Sequence, residues 1–161
     1  MFKFVDFIPS DDIVYMADNL SEENRNEIAL HIGVKLSKLT REQVIATLLT
    51  AIRGNSRYFE TYTPTGRLCG IGAVSKSGNV TFVVTGGLDR KDKVYLLRHA
   101  KECVKEMAKG MTKLYTYSDE RNTLARRWYG FAGFKPNGTF LSVDGVKLEY
   151  YEHVPVAESE S

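Results

Sequence analysis

The chain has 161 residues and a formal net charge of +2, with 43% hydrophobic and 26% charged residues. This balance is ordinary for a globular protein and excludes a disordered or fibrous chain. The small charge does not favour nucleic acid as a partner, and no apolar run approaches the roughly 20 residues of a membrane helix. We therefore expect one domain over residues 1–156 and a frayed polar tail at 157–161.

The cysteine and histidine pattern indicates neither a disulfide framework nor a metal site. Cys69 and Cys103 lie in apolar contexts without CxxC or Cys/His spacing. We expect two buried thiols in a reducing compartment and no metal. Because the first residues turn acidic before reaching the length of a signal peptide, the sequence predicts a cytoplasmic protein.

The first half of the chain predicts one strand, three helical segments and a meander of strands. Ser10 or Asp11 can cap the first helix, Ser21 opens the second, and Thr40 begins the third with a capping-box pattern completed by Gln43. Turn-forming residues at 64–66 and 77–79 separate the later strands. The predicted elements are strand 2–8, helices up to Leu20, from 21 to 33 and from 40 to 54, and strands 56–62, 68–75 and 80–85.

The second half predicts a helix, a strand, a helix and a closing hairpin. Apolar residues recur at helical spacing through 92–109, and Asp144 and Gly145 are typical of a tight hairpin turn. With these come strand 113–117, helix 122–132 and strands 139–143 and 147–154. The order predicts an α/β protein with a mixed, mostly antiparallel sheet of six to seven strands and helices on both faces.

The stretch NTLARRWYGFAGFKP, residues 122–136, carries the most specific motif. It places Asn122, Ala125, Tyr129, Gly133 and Phe134 at the spacing Asn-x-x-Ala-x-x-x-Tyr-x-x-x-Gly-Phe. Together with the element order, this motif resembles the GNAT acyltransferase superfamily. The resemblance covers roughly residues 2–154. It implies a GNAT-like fold and transfer of an acetyl group from acetyl-CoA to an amine acceptor.

The chain also resembles a family of small proteins from short-tailed bacteriophages that includes internal virion proteins and proposed acetyltransferases. The similarity lies in DIVYMADNLSEENRNEIA, GIGAV, LLRHAKECVKEM and RNTLARRWYGFAGF. It implies a place in the host cell cytoplasm, with packaging in the virion as an option. It also implies an alternative function, a catalytically inactive relative that binds a phage or host protein.

The GNAT resemblance implies where acetyl-CoA binds. The pantetheine arm pairs with the backbone of the fourth strand, and the pyrophosphate contacts N–H groups at the start of the next helix. Lysines stand near the places of the family's cradle glycines, so the expected pyrophosphate contacts are side-chain charges, with a nest at Gly86 and Gly87 as the alternative. The residues assigned to the cofactor are Val83, Val84, Thr85, Arg90, Lys91, Lys93, Asn122 and Arg126.

The same resemblance implies three catalytic residues. Tyr129 matches the tyrosine that protonates the departing thiolate of CoA, a task suited to a phenol. Deprotonation of the amine needs a base, and the available carboxylates are Glu60 on the first meander strand and Asp119 after the fifth strand.

Structural roles for these residues stay open in the sequence. Tyr129 can equally belong to an aromatic face of the core, and Asn122 can serve as a helix cap. Arg126 can be part of a solvated basic face, and Glu60 can lie on the solvent side of a strand. An exposed strand edge also makes a homodimer possible.

Overall fold

The structure is a computed structural model that describes residues 1–155, so the predicted tail at 157–161 lies outside the described residues. Strands and helices follow the predicted order, with a short 3-10 turn at Leu36–Lys38. The elements are β1 (Phe2–Val5), α1 (Ser10–Asn19), α2 (Glu22–Ile32), α3 (Arg41–Ile52), β2 (Arg57–Tyr62), β3 (Leu68–Val74), β4 (Val80–Val84), α4 (Arg90–Arg98), α5 (Ala100–Met107), β5 (Leu114–Asp119), α6 (Thr123–Ala132), β6 (Lys135–Val143) and β7 (Val146–His153).

The seven strands of the described chain form two antiparallel sheets that touch at one point. Strands β1 to β4 form the first sheet in sequence order, and the second has the order β5-β7-β6. A single parallel bridge between Asn79 and Tyr115 joins β4 to β5. The predicted mixed, mostly antiparallel architecture is confirmed.

Helices cover both faces of this arrangement and enclose two hydrophobic cores. The first core lies under α4, α5 and α6 and includes Phe82 and Trp128, whose ring centroids are 4.7 Å apart. The second lies under α1, α2 and α3 and includes Val83 and Ile71. Because side chains alternate along a strand, neighbouring residues of β4 serve opposite cores.

Helix starts follow the capping signals of the sequence. Thr40 Oγ1 accepts a hydrogen bond from the Gln43 N–H at 3.1 Å, and Gln43 Oε1 accepts one from the Thr40 N–H at 2.9 Å, which confirms the predicted capping box. The helix predicted for 92–109 begins earlier, at Arg90, because Asp89 caps it. It also divides at His99, where φ is −94° and ψ is 0°. The sequence has no glycine or proline there to signal the break.

The strand boundaries differ most in the last hairpin. Strand β6 begins at Lys135 instead of residue 139, because a register shift between Pro136 and Phe140 absorbs the proline and glycine that suggest a turn. Strand β1 ends at Val5 instead of residue 8. Strands β1 and β6 are the outer edges of the two sheets.

The two cysteines, Cys69 and Cys103, are buried and form no disulfide, which confirms the prediction of buried thiols. In residues 1–155, no group of three or more histidine, cysteine, aspartate or glutamate side chains is arranged to hold a metal ion. No helix in that part of the chain is long and apolar enough to cross a bilayer.

Gly78 lies where the two sheets meet, and we expect Gly78→Ala to destabilise the fold by about 2 to 4 kcal/mol. Its φ is +97°, its carbonyl accepts the Tyr115 N–H at 2.8 Å, and a Cβ there would overlap the Lys113 carbonyl oxygen. Gly138→Ala is the matched control, because Gly138 has φ +84° and open surroundings. Urea denaturation measures both losses. Equal losses of unfolding free energy in the two variants would show that the overlap with the Lys113 carbonyl oxygen adds no destabilisation.

Candidate active site

Strands β4 and β5 part beyond the bridge that joins them. Asn79 and Tyr115 lie at the beginnings of the two strands, and Tyr115 N–H donates to the Gly78 carbonyl at 2.8 Å. From there to Val84 and Asp119, within the described residues, the strands belong to different sheets and share no further ladder. A gap therefore opens between the carboxyl ends of two parallel strands.

A cavity of about 830 Å³ lies over this gap, on the side of α2 and α3. That volume is within the range of small-molecule sites in proteins. Strands β4 and β5 contribute one wall, α2 and α3 another, and the β6–β7 hairpin a third. Its apolar lining includes Ile28, Ala46, Leu48, Ala51, Val83 and Leu148.

Tyr129 of α6 belongs both to the core and to the cavity. The residue is 5% exposed, and its ring packs on Phe134 and Tyr151 at centroid distances of 5.2 and 6.0 Å. It also lines the cavity together with Thr116. Burial raises the pKa of Tyr129 well above its ordinary value, the hydrogen bond with Thr116 opposes this, and the charge of Glu27 adds to it. The phenol is therefore protonated at neutral pH, although the same shift makes it a weaker acid than an exposed tyrosine.

Glu27 of α2 lines the same cavity, although the sequence interpretation did not select it. Asn24 Nδ2 donates to its Oε1 at 3.2 Å, and Asn122 Nδ2 donates a short hydrogen bond to the same oxygen. Within the described residues, Oε2 has no hydrogen-bond partner. Burial raises the pKa of Glu27 to about 7, the bond from Asn122 opposes this, and the charge of Asp119 adds to it. A carboxylate with this pKa can accept a proton near neutral pH.

The sequence does contain a signal for Glu27. Asn24, Glu27, Ile28 and His31 recur at helical spacing and all line the cavity, so they share one face of α2. That face mixes polar and apolar residues, and the periodicity of apolar residues alone does not distinguish it from a solvent-exposed face.

The start of α2 occupies part of the free edge of β4. Ser21 N–H donates to the Val84 carbonyl at 3.0 Å, and Val84 N–H donates to Asn24 Oδ1 at 2.9 Å. Thr85 N–H points away from the gap and donates to the Cys69 carbonyl on β3 at 2.9 Å. Because main-chain groups of successive strand residues point to opposite sides, the main chain of Val83 also faces β3.

Of the three residues predicted to pair with a pantetheine arm, only Val84 directs its main chain toward the gap, and α2 already bonds to it. The next residue with that orientation is Phe82, two positions earlier on β4. Its N–H and C=O face the gap between the bridge and α2. Phe82 is therefore the residue of β4 whose main chain faces the gap without a hydrogen bond from α2 among residues 1–155.

The two predicted bases lie outside the cavity lining. Glu60 is buried on β2, where Tyr62 hydroxyl donates to Oε1 at 3.1 Å, and burial and the neighbouring Asp12 raise its pKa to about 7. Asp119 is buried at the end of β5. Burial tends to raise its pKa, but Arg121, with Nη2 2.6 Å from Oδ2, donates several hydrogen bonds that lower it overall. Glu60 is thus hydrogen-bonded to Tyr62, and Asp119 to Arg121.

Comparison with known proteins identifies the fold. The sequence matches no family model and no curated protein. The GNAT-family acetyltransferase from Bacillus anthracis superposes with a TM-score of 0.67 at 15% identity, covering 95% of this chain and 94% of that one. The chain has the GNAT fold.

Two further solved structures share this GNAT fold. Spermidine N-acetyltransferase from Vibrio cholerae, solved with CoA and spermine, has a TM-score of 0.62 at 13% identity and 95% coverage of both chains. An aminoglycoside acetyltransferase solved with coenzyme A has a TM-score of 0.60 at 15% identity, covering 96% of this chain and 95% of that one.

In this GNAT-fold chain, the helix after β4 begins with a carboxylate cap. Asp89 Oδ1 accepts the Asp92 N–H at 2.8 Å, and Asp92 Oδ2 accepts the Asp89 N–H at 3.3 Å. These carboxylates satisfy two of the donors that a helix start otherwise offers to an anion. Arg67 Nη2 lies 3.4 Å from Asp92 Oδ2, so the charge of Asp92 is partly offset. The predicted contacts Arg90, Lys91 and Lys93 are exposed side chains of the same turn.

Asn122 and Arg126, also assigned to the cofactor, make internal contacts. Asn122 caps α6 by accepting the Ala125 N–H at 3.1 Å, besides holding Glu27. Arg126 donates to the Tyr151 hydroxyl and to Glu149, each at 3.0 Å. The gap thus combines main-chain groups of Phe82 with the buried phenol of Tyr129, whereas the capped start of α4 leaves fewer main-chain donors for an anion.

Proposed function

We propose that the chain is an N-acyltransferase that moves an acetyl group from acetyl-CoA to an amine bound in the cavity. The observation that supports this most directly is the joint position of Tyr129 and Glu27 in one cavity at the gap between β4 and β5. Two acetyltransferases that share the fold are named after amine acceptors, spermidine and an aminoglycoside, which is consistent with an amine acceptor here.

Each residue has a role that follows from its position. The thioester supplies an activated acyl group, and the main chain of Phe82 holds its arm as an added strand would. Glu27 accepts a proton from the ammonium group, so that a neutral amine attacks the acyl carbon directly. Attack forms the C–N bond and breaks the C–S bond, Tyr129 donates its proton to the leaving sulfur, and the second proton of the attacking nitrogen restores the Tyr129 phenol. In this proposal Glu27 replaces Glu60 and Asp119 as the base.

A second candidate is a catalytically inactive phage-type protein that binds a phage or host protein. Two observations favour it. The carboxylates of Asp89 and Asp92 occupy the helix start that an anion would use, and Ser21 and Asn24 occupy the β4 edge at Val84. Both features reduce affinity for CoA without disturbing the fold.

Ligand-induced stabilisation separates the two candidates. We expect S-acetylpantetheine and acetyl-CoA to raise the melting temperature to a similar degree, because the diphosphate adds little; saturation at a hundred times Kd stabilises by about 2.7 kcal/mol. Asp89→Ser keeps the cap but removes one charge, and should tighten acetyl-CoA by roughly three- to tenfold while leaving S-acetylpantetheine unchanged.

The matched control is Asp144→Asn, which makes the same change of charge in the exposed β6–β7 turn and should alter neither affinity. If neither ligand stabilises the wild-type protein at millimolar concentration, the acyltransferase proposal fails and the partner-binding alternative stands.

A further inference from the structure

The charge of the cavity points to the kind of amine that it accepts. Among the cavity-lining residues in the described part of the chain, Glu27 is the only carboxylate, and no lysine or arginine lines it. Asp119, the nearest other acid, is paired with Arg121, whose Nη2 lies 2.6 Å from Oδ2. One anionic group therefore faces the space, and it can bind one ammonium group.

The orientation of Glu27 suits this role. Both amides that hold it, Asn24 Nδ2 and Asn122 Nδ2, bond to Oε1, which fixes the carboxylate and leaves Oε2 without a partner among residues 1–155. The two donors anchor Glu27 to the first turn of α2 and to the cap of α6. An ammonium group at Oε2 would thus lie in the same cavity as the Tyr129 ring.

The remainder of the cavity combines apolar side chains with polar side chains that are not carboxylates. The polar residues include His31, Thr47, Thr50, Asn79, Thr81, Thr116 and Tyr117. The apolar residues include Ile28 of α2, Ala46, Leu48 and Ala51 of α3, Val83 of β4 and Leu148 of β7. Burial of such surface against a hydrocarbon group contributes roughly 25 cal/mol per Å². A second ammonium group placed among these side chains would lose hydration without gaining a carboxylate partner.

We propose that the acceptor is a monoamine with an apolar alkyl or aryl body, bound through its ammonium group to Glu27. This inference rests on the proposed N-acyltransferase function and narrows its substrate class. Polyamines and aminoglycosides, which carry several ammonium groups, do not match a cavity with one carboxylate.

Calorimetric titration of the protein without any thioester tests this assignment. The probes are n-hexylamine, n-hexanol as its uncharged counterpart, and spermine as a polycation. We expect hexylamine to bind roughly ten- to a hundredfold more tightly than hexanol, the range of a charge-assisted hydrogen bond. Spermine should bind no more tightly than hexylamine. Glu27→Gln should abolish the preference for hexylamine over hexanol.

Hexanol binding by Glu27→Gln reports whether the cavity is intact in that variant, and it should be unchanged. Glu23→Gln, an exposed carboxylate on the same helix, is the matched control and should keep the preference for the amine. The inference is overturned if hexanol binds as well as hexylamine, or if spermine binds more tightly than hexylamine.

The same probes separate this inference from the function on which it rests. Binding of hexylamine without acetyl transfer from acetyl-CoA would refute the proposed function alone. Transfer to spermine in preference to hexylamine would support an N-acyltransferase and refute the monoamine assignment alone.

Discussion

Tyr129→Phe is expected to lower the turnover number for acetyl transfer about 10²- to 10⁴-fold, the usual contribution of a general acid. The substitution removes the hydroxyl and keeps the ring that packs on Phe134 and Tyr151. The fold, the KM for the amine and the affinity for hexylamine should therefore change little. The measurement is the steady-state rate of transfer from acetyl-CoA to hexylamine.

Tyr117→Phe is the matched control, because Tyr117 also lines the cavity but is 39% exposed to solvent. Loss of its hydroxyl should leave the rate within about threefold of wild type, since it is outside the buried part of the site. If both variants keep the wild-type turnover, Tyr129 is only a core residue and the proton must come from elsewhere.

Glu27→Gln is expected to change how stability depends on pH. The pKa of Glu27 is about 7 in the folded protein, against an ordinary value of 4.5. Because the folded pKa is raised, the contribution of this group is fully present below about pH 4.5 and is lost as the pH rises through about 7. The difference between the folded and the ordinary pKa corresponds to roughly 2 to 3 kcal/mol of unfolding free energy, after a reduction for the part of the carboxylate that faces the cavity.

Urea denaturation of wild type and Glu27→Gln at pH 4.5 and pH 8 measures this effect. From pH 4.5 to pH 8, the unfolding free energy of the variant should rise by roughly 2 to 3 kcal/mol relative to that of wild type. Glu60, with a pKa also near 7, keeps its own pH dependence in both proteins, so it cancels in the comparison. Glu23→Gln should show no gain. A pH-independent difference for Glu27→Gln would mean that its carboxyl titrates normally when folded.

The sequence predicts those parts of the fold that local chemistry determines. Asn122 and Gly133 bound α6 as a cap and a left-handed terminus, with φ +97° at Gly133, and the spacing of their residue types is visible in the sequence. Thr40 and Gln43 likewise define the start of α3. These signals act over three or four residues, so one sequence is enough to find them.

The candidate site depends on contacts that are distant in the sequence. Asn24 reaches Val84, 60 residues away, and Asn122 reaches Glu27, 95 residues away. Neither pairing follows from periodicity, so the sequence offers Glu60 and Asp119 as bases and does not single out Glu27. The resemblance to acyltransferases implies a contact on the fourth strand, but it does not indicate that α2 bonds to one end of the β4 edge.

The sequence around Asp89 contains a local signal for the start of α4. Asp89 followed by Asp92 is itself a helix-start pattern, a side-chain cap with an acidic residue three positions later. The apolar periodicity through 92–109 does not include the first turn, so it predicts a helix start two residues after the observed one at Arg90. The capping box at Asp89 was the stronger local determinant.

The proposed function requires that the gap between β4 and β5 receives the arm of an acyl thioester beside Tyr129. Amide chemical shifts of isotope-labelled protein, followed during titration with S-acetylpantetheine, measure this binding residue by residue. We expect saturable shifts at Phe82 and Tyr129, with Glu60 on β2 unaffected. Saturable binding with no change at Phe82 and Tyr129, or no binding at millimolar ligand, would contradict it.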